Sequence, residues 1–294
     1  MKSRNRIRKA LQPYMYLLPT IVLIAGLLFV PIFMAIGYSF FDNVVIKPDP
    51  QFVGLANYSA VLKDKVFRLS MKNTAWFVIL NVIFHLLIGM SLALMVNAKR
   101  LHNVPKAVFR IIYLLPWMFN ATVIAILWKL LLNPSGIVNY LLSLTQSMPV
   151  KIEWMSNRKI VLHVLTFINI WAGYPFYMIS ILAGLQGIPS DLYEAASIDG
   201  ANGIHQFFDM TLPQLKPILI SIAMLDFIWT TQNFSLIWLL TAGGPSHATE
   251  MMSTYVYTTA FTSFQYAKAS AAAVLILIIC TILAVFYVRN QFRE

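Results

Sequence analysis

Charge is scarce in this chain. Only 11% of its 294 residues are charged, whereas an ordinary soluble domain has about 25%. A soluble fold of this size could not cover its surface with so few charges. The hydrophobic fraction of 59% and the mean hydropathy of +0.71 agree with that exclusion. The composition therefore predicts an integral membrane protein.

Several kinds of chemistry are excluded by what the sequence lacks. Its single cysteine, Cys280, excludes an intrachain disulfide framework and a cysteine-based metal cluster. The five histidines are too scattered for a metal site of ordinary spacing, and no set of nucleophile, base and orienting acid can be assembled, so neither a metal site nor a catalytic site is predicted. The 22 Lys and Arg residues form no dense basic stripe, so no nucleic-acid partner is expected. Without a G-x-x-x-x-G-K-S/T run, this chain is not expected to hydrolyse ATP itself.

Six apolar runs are long enough to cross a bilayer core of roughly 30 Å, which takes about 20 helical residues. The runs are Tyr14–Phe41, Ser70–Asn97, Ala107–Leu132, Ile160–Gln186, Pro217–Leu240 and Ala267–Val288. The predicted fold class is therefore an all-α integral membrane protein with six transmembrane helices. The first run is too long for a signal peptide and lacks a clear cleavage site, so it is predicted to be an uncleaved span.

The density of basic residues sets the predicted orientation. Five Lys and Arg residues precede the first span, and such residues favour the cytoplasmic side. We therefore expect a cytoplasmic amino-terminal segment (residues 1–13), a six-span transmembrane domain (residues 14–288) and a cytoplasmic carboxyl-terminal segment (residues 289–294). The loop between the fourth and fifth spans, residues 187–216, then also faces the cytoplasm.

This loop has the local chemistry of two short helices. Asp191 is predicted to cap the first helix, with Glu194 completing a capping box, and Gly200 lies where a helix commonly ends in a left-handed residue. Its most distinctive residues follow a fixed order, which is Glu194, Ala195, Ala196, Asp199, Gly200, Ala201, Phe207, Leu212, Pro213 and Pro217.

That order of residues resembles the EAA loop of the membrane subunits of binding-protein-dependent ABC importers. The resemblance implies that Glu194, Ala195, Ala196, Asp199 and Gly200 form a coupling helix that contacts an ATP-binding subunit. Asp209 and Met210 depart from the family pattern, which affects the second short helix rather than the first. An amphipathic helix lying on the membrane surface is the alternative interpretation of the loop.

Two further stretches are similar to sugar-importer permeases of the maltose and glycerol-phosphate type. They are residues 52–58 and residues 240–250, and with the EAA-like loop they extend the resemblance over nearly the whole chain. The resemblance implies a bacterial or archaeal inner membrane location and an ATP-driven importer of a sugar or oligosaccharide. It also implies a second permease subunit, expected to be non-identical, two ATPase subunits that bind ATP and Mg²⁺, and an extracytoplasmic solute-binding protein. No cofactor is expected in this chain.

Polar residues inside the spans are candidates for a solute path, because burying them in a membrane is costly. The fourth span has Asn169, Gly173 and Phe176 at i, i+4 and i+7, and the fifth has Asp226, Thr230 and Asn233 at the same spacing, so each set is predicted to share a helical face. Gly173 and Pro175 are expected to loosen the fourth span. The resemblance implies that these two helices line a sugar site. The alternative role for the polar groups is hydrogen bonding between helices.

Two other functions stay open at this point. One is a self-contained secondary transporter in which Asp226 carries a coupling proton. The other is a membrane-embedded enzyme that uses Asp226 and His85, although His85 is predicted to be a packed, hydrogen-bonded histidine. The EAA-like loop disfavours both, because neither function needs a docking helix for an ATPase.

Overall fold

A computed structural model of the chain describes residues 2–42, 44–98, 103–145 and 151–291. Residues 292–294 of the predicted carboxyl-terminal segment lie outside the described residues. Within the described ranges the chain is helical, and the extended pairing there is an isolated antiparallel bridge between Phe41 and Phe52. The predicted all-α class is confirmed.

The helices are numbered in chain order. They are α1 (Lys2–Tyr38), α2 (Ala56–Lys63), α3 (Lys65–Asn97), α4 (Asn103–Met118), α5 (Ala121–Leu131), α6 (Ile137–Ser143), α7 (Val161–Gln186), α8 (Ser190–Ile198), α9 (Gly203–His205), α10 (Leu212–Thr231), α11 (Ser235–Thr241), α12 (Met252–Tyr257) and α13 (Tyr266–Gln291). Two π-helical segments, Gln206–Thr211 and Thr258–Thr262, follow α9 and α12.

Five helical stretches are long and apolar enough to cross a membrane, and a sixth crossing is possible if one bent pair of helices counts as a span. The five are Tyr14–Tyr38, Lys65–Asn97, Val161–Gln186, Gly203–Thr231 and Tyr266–Arg289, and the bent pair is Ala107–Met118 with Ala121–Leu131. The described residues thus fit the six predicted spans, with the third one broken.

Two predicted spans differ from the structure because polar residues end a helix early. The third is not one straight helix, since α4 and α5 meet at an angle of 96° and the Asn120 side chain caps α5 by accepting a hydrogen bond from the Val123 N–H at 2.9 Å. The fifth was predicted to reach Leu240, but α10 ends at Thr231. Conversely, α7 is continuous through Gly173 and Pro175, so the fourth span has no break at these residues.

The chain divides into two compact units. One comprises Met1–Asp64 and Val256–Ile278. Within it, the Asn57 amide donates hydrogen bonds to the carbonyl oxygens of Ser39 at 2.9 Å and Phe41 at 2.8 Å, which fixes the turn after α1. The described side chains of α1 from Tyr14 to Met34 are largely exposed and apolar, as suits a helix that contacts lipid or another subunit.

The second unit comprises Lys65–Tyr255 and Ile279–Glu294, and it contains the candidate site. Here α3 packs along α7, and both contact α10. A Cβ atom at Gly89 of α3 would lie 2.5 Å from the Tyr177 Cβ of α7, so the small residue permits the close approach of these two helices. The buried residues form two apolar clusters, one around Phe77, Leu165 and Ile237 and one around Tyr177, Ile181 and Leu215.

Candidate functional site

A buried carboxylate joins α3, α7 and α10. Asp226 of α10 is 7% exposed and receives three side-chain hydrogen bonds. His85 Nδ1 lies 2.8 Å from Oδ2, the Tyr177 hydroxyl donates to the same oxygen at 2.9 Å, and the Thr230 hydroxyl donates to Oδ1 at 2.8 Å. Because a buried charge is stable only when it is paired and hydrogen-bonded, these contacts explain how Asp226 is tolerated. We call these four residues the Asp226 cluster.

The second ring nitrogen of His85 also faces an acceptor. His85 is 1% exposed, and its Nε2 lies 3.1 Å from the Asn169 carbonyl oxygen. With Asp226 ionised, both contacts are hydrogen bonds when His85 is an imidazolium, which has two N–H groups. The geometry accommodates such an imidazolium–carboxylate pair, whose charges cancel. A Cβ atom at Gly173 would lie 2.4 Å from His85 Nε2, so glycine is what lets the ring approach α7.

Three amide side chains form a ladder beside this cluster. The Asn81 amide donates to the Phe77 carbonyl oxygen at 2.7 Å, and Asn81 Oδ1 accepts from the Asn169 amide at 2.8 Å. Asn169 Oδ1 in turn accepts from the Asn233 amide at 2.8 Å. We call Asn81, Asn169 and Asn233 the amide ladder. In this structure the amide groups of the ladder are therefore mostly hydrogen-bonded within the protein.

The Asp226 cluster and the amide ladder border a cavity of about 270 Å³, slightly smaller than the roughly 300–1,000 Å³ of pockets for drug-sized ligands. We call it the polar cavity. Its described lining residues are His85, Trp117, Phe119, Ile124, Asn169, Ala172, Gly173, Asp226, Trp229, Thr230 and Asn233. Trp117 and Trp229 are each more than half exposed, so the cavity combines amide and hydroxyl groups with open aromatic surface.

The structure brings most of the predicted path residues to this cavity. Asn169, Gly173, Asp226, Thr230 and Asn233 all line it. The helical argument for Asn233 is wrong, however, because α10 ends at Thr231 and Asn233 reaches the cavity from the break that follows.

The remaining predicted path residue, Phe176, packs beside two tryptophans of the cavity wall. Its ring centroid lies 5.5 Å from that of Trp229 and 6.2 Å from that of Trp117. It is not among the lining residues described. Phe176 thus supports the aromatic wall from behind.

Sequence reasoning missed Asn81 and Trp117 and did not place Tyr177 in the path. It predicted His85 to be a packed, hydrogen-bonded histidine, with a role in a membrane-embedded enzyme as the alternative, and the structure shows the packed, hydrogen-bonded state. Asn81 and His85 are separated by one helical turn in an otherwise apolar run of α3, and that spacing could have identified a third polar face. Nothing comparable distinguishes Tyr177 and Trp117, since aromatic residues are common throughout the spans.

The first helix of the loop, α8, begins differently from the prediction. Pro189 occupies the N-cap position and makes no side-chain hydrogen bond, and Asp191 lies inside the first turn. The predicted capping box of Asp191 and Glu194 is therefore wrong, because a capping residue must lie outside the helix to reach its free N–H groups. The Asp191 carboxylate still lies at the positive end of the helix dipole.

The end of α8 agrees with the prediction. Gly200 has φ of +83°, which only glycine adopts without strain. The Ala201 N–H donates to the Ala196 carbonyl oxygen at 2.9 Å, and the Gly200 N–H donates to the Ser197 carbonyl oxygen at 3.2 Å. These two bonds form a Schellman motif, which satisfies the last carbonyl groups and stops the helix.

The second part of the loop leads directly into α10. Asn202 caps α9 by accepting from the N–H groups of Ile204 at 3.1 Å and His205 at 3.0 Å. The π-helical segment Gln206–Thr211 follows and continues as α10. The Gln206 amide donates to the Ser197 hydroxyl at 2.9 Å, so α8 is tied to the start of this continuous stretch.

Most residues of α8 are exposed in the part of the chain that the structure describes. The predicted contact residues Glu194, Ala195 and Asp199 are exposed, and Ala196 is half-buried. Ile198 is 86% exposed. These exposed residues of α8 are therefore accessible to another protein.

Comparisons with known proteins agree with these features. Residues 85–293 match the family described as "Binding-protein-dependent transport system inner membrane component". The chain belongs to this family. Its members are transport components rather than enzymes, so an enzymatic function of the polar cluster is disfavoured, and the predicted membrane transport class is confirmed.

Individual relatives extend the match over the whole chain. The trehalose/maltose transport system permease protein MalF of Thermococcus litoralis is 32% identical over 100% of this chain and 98% of the relative. A solved structure of a bacterial ABC transporter that imports the acidic polysaccharide alginate matches with a TM-score of 0.85 and 24% identity, covering 100% of this chain and 99% of that one. A second solved structure, the alginate transporter with a pentasaccharide-bound periplasmic protein, matches with a TM-score of 0.83 and 24% identity over 96% of each chain. These two structures support the fold.

Proposed function

We propose that the chain is a permease subunit of an ATP-driven importer and translocates a sugar or oligosaccharide by alternating access. The observation that supports this most is the polar cavity, whose wall combines amide and hydroxyl groups with exposed tryptophan rings. Amide and hydroxyl groups match sugar hydroxyls, and aromatic faces match the C–H surface of a sugar ring. The relative from Thermococcus litoralis transports trehalose and maltose according to its name.

In this proposal Asn169, Gly173, Phe176, Asp226, Thr230 and Asn233 form the substrate path. Their roles differ. The amides of Asn169 and Asn233 contact the solute, Phe176 supports the tryptophan platform, and Gly173 makes room for His85. None of the described lining residues is Lys or Arg, and the charges of Asp226 and His85 compensate each other. A solute with its own carboxylate would find no countercharge among them, so the proposed substrate is an uncharged saccharide.

We also propose that Glu194, Ala195, Ala196, Asp199 and Gly200 contact an ATPase subunit. Exposed small residues let another backbone approach α8 closely, and the exposed Ile198 adds apolar area. The complete importer would contain two ATPases that bind ATP and Mg²⁺, a second and non-identical permease, and an extracytoplasmic solute-binding protein. The two terminal segments, residues 1–13 and 289–294, flank the transmembrane domain 14–288 in the sequence. Both would then lie in the cytoplasm, together with the loop 187–216. Cysteine labelling at residue 3 from outside intact cells would contradict this orientation.

The proposed function is tested by uptake into vesicles that contain the complete complex. We expect uptake of radiolabelled trehalose or maltose to require both internal ATP and the solute-binding protein. A disaccharide of uronic acids should not be taken up, even when a binding protein delivers it. Uptake by this chain alone, driven by a proton gradient without ATP, would instead favour the secondary transporter that uses Asp226.

A further inference from the structure

The Asp226 cluster lies at one end of the helix that begins at the loop. The π-helical segment Gln206–Thr211 runs into α10 without a break, and Asp226 follows roughly 21 Å further along that helix, at about 1.5 Å per residue. Because this helical stretch is unbroken, a displacement of the loop moves the segment that carries Asp226. The π-helical segment and Pro217 are the places at which the stretch can bend.

Asp226 is where α10 is held against α3 and α7 through polar contacts. His85 belongs to α3 and Tyr177 to α7, and both bind the same carboxylate oxygen, at 2.8 Å and 2.9 Å. A buried ion pair gains its attraction only at close range, and partners that separate while still buried are left unpaired. The pair therefore favours two distinct arrangements, joined, or separated with water reaching both groups, rather than a gradual stretch.

The amide ladder depends on the same helix. Asn233 lies two residues after the end of α10, and its amide is bonded to Asn169 Oδ1 of α7 at 2.8 Å. A shift of α10 away from α7 would break this bond together with the contacts of Asp226. The amides that we assign to the solute would become available only after that shift.

We infer that His85, Tyr177 and Asp226 act as positioning residues that lock α10 against α3 and α7, and that release of this lock by the moving loop exposes Asn169 and Asn233 to the solute. The inference rests on the proposed function. In the locked state the amides bind one another, so the cavity has low affinity for a solute. The lock thereby ties solute binding to the position of the loop, and it prevents the ATPases from cycling without a loaded binding protein.

The test uses the complete complex and measures ATP hydrolysis without the binding protein. A single change at His85 or Asp226 would leave a buried charge unpaired, so the main variant is the double substitution His85→Gln with Asp226→Asn, which removes both charges and keeps groups that can hydrogen-bond. We expect this variant to assemble and its ATPase rate without binding protein to rise about tenfold. Tyr177→Phe, which removes one hydrogen bond, should raise that rate about two- to threefold.

Ser221→Ala is the matched control. Ser221 also lies on α10, but its hydroxyl is bonded to the Tyr287 hydroxyl of α13 at 2.7 Å, away from the lock. Its loss should leave the ATPase rate without binding protein within about twofold of wild type. A purely structural role of the cluster predicts reduced assembly or thermal stability with no rise in that rate.

Two results would overturn the inference. One is a double variant that assembles and hydrolyses ATP only with the loaded binding protein, as wild type does. If the double variant fails to assemble, an unchanged rate in Tyr177→Phe is the second. A failure of the proposed function is recognised separately, because the wild-type complex itself would then show no stimulation of ATPase or uptake by a sugar-loaded binding protein.

Discussion

The polar cavity and helix α8 differ in the burial of their polar and apolar groups. Around the cavity, Asp226 and His85 are almost fully buried and each finds its partners within the same chain. On α8, Glu194 is exposed, and Ile198 displays an apolar side chain to solvent. The polar groups of the first region are therefore paired within the chain, whereas residues of the second are available for the ATPase contact that we propose. The amides that we assign to the solute, those of Asn169 and Asn233, are bonded to each other in this structure.

The largest effect is expected from reversing a charge on α8. Glu194→Lys should leave folding intact, because the side chain is exposed, yet abolish transport and reduce copurification of the ATPase. Loss of a charge contact at an interface costs about 2–5 kcal/mol, which corresponds to a weakening of about thirtyfold or more. Pull-down of the ATPase with the tagged permease measures the effect.

Asp49→Lys is the control for that experiment, because it makes the same charge change at another exposed position. It should bind the ATPase as wild type does. If Glu194→Lys copurifies the ATPase in normal yield and shows normal uptake, α8 is not part of the ATPase interface. The proposed difference between the two regions would then be wrong.

The next effect is expected at the amide ladder. Asn233→Ala should lower sugar uptake by about tenfold, since in our proposal it removes an amide that contacts the solute, and a lost hydrogen bond costs about 0.5–1.5 kcal/mol. ATPase activity stimulated by the loaded binding protein should persist, because closure of the ATPases does not need a captured solute. Uptake and ATPase rates are measured on the same vesicles.

Thr231→Val serves as the neighbouring control, since its hydroxyl is bonded to the Phe227 carbonyl oxygen of its own helix at 2.7 Å. It should transport normally. If Asn233→Ala instead loses the second permease during purification, the ladder is a structural bond between helices and not part of the path.

A smaller effect is expected where glycine makes room for the Asp226 cluster. Gly173→Ala would place a Cβ atom 2.4 Å from His85 Nε2, and overpacking of this kind costs typically about 1–3 kcal/mol. We expect a lower midpoint of thermal unfolding in detergent. Gly26→Ala in α1, where nothing lies within 4 Å of the added atom, should leave the midpoint unchanged or slightly raised. Equal midpoints for both variants would show that His85 can move aside at no cost.

The sequence predicts the spans and the end of α8 well because both depend on local properties. Span length follows from the thickness of the bilayer, and the positive φ of Gly200 follows from the lack of a side chain. The polar residues of the fourth and fifth spans are also identifiable, since each interrupts an apolar run. These features need no knowledge of which helices are neighbours.

The pairing of the cluster could not be predicted in the same way. His85 and Asp226 are 141 residues apart, so their contact depends on how α3 and α10 pack. The early end of α10 likewise depends on Asn233 bonding to Asn169 of α7, which competes with continuation of the helix. Local sequence propensities therefore predict neither the contact of His85 with Asp226 nor the early end of α10.

The smallest effect is expected in the turn after α1, where an exposed ion pair provides a contrast to the buried one. The hydrogen bond from the Lys47 ammonium, aided by one from the Gln51 N–H, lowers the pKa of the Asp42 carboxyl below its ordinary value. A carboxyl with a lowered pKa in the folded state contributes stability above its unfolded pKa, and that contribution is lost as the pH falls through the folded pKa.

The Gln51 N–H, 2.6 Å from Asp42 Oδ1, should therefore lose protection from hydrogen exchange only at acidic pH. In Lys47→Ala the pKa should move back toward its ordinary value, so protection of Gln51 should be lost at a higher pH than in wild type. Identical exchange profiles in the two proteins would show that the pair is dispensable, as most solvent-exposed ion pairs are.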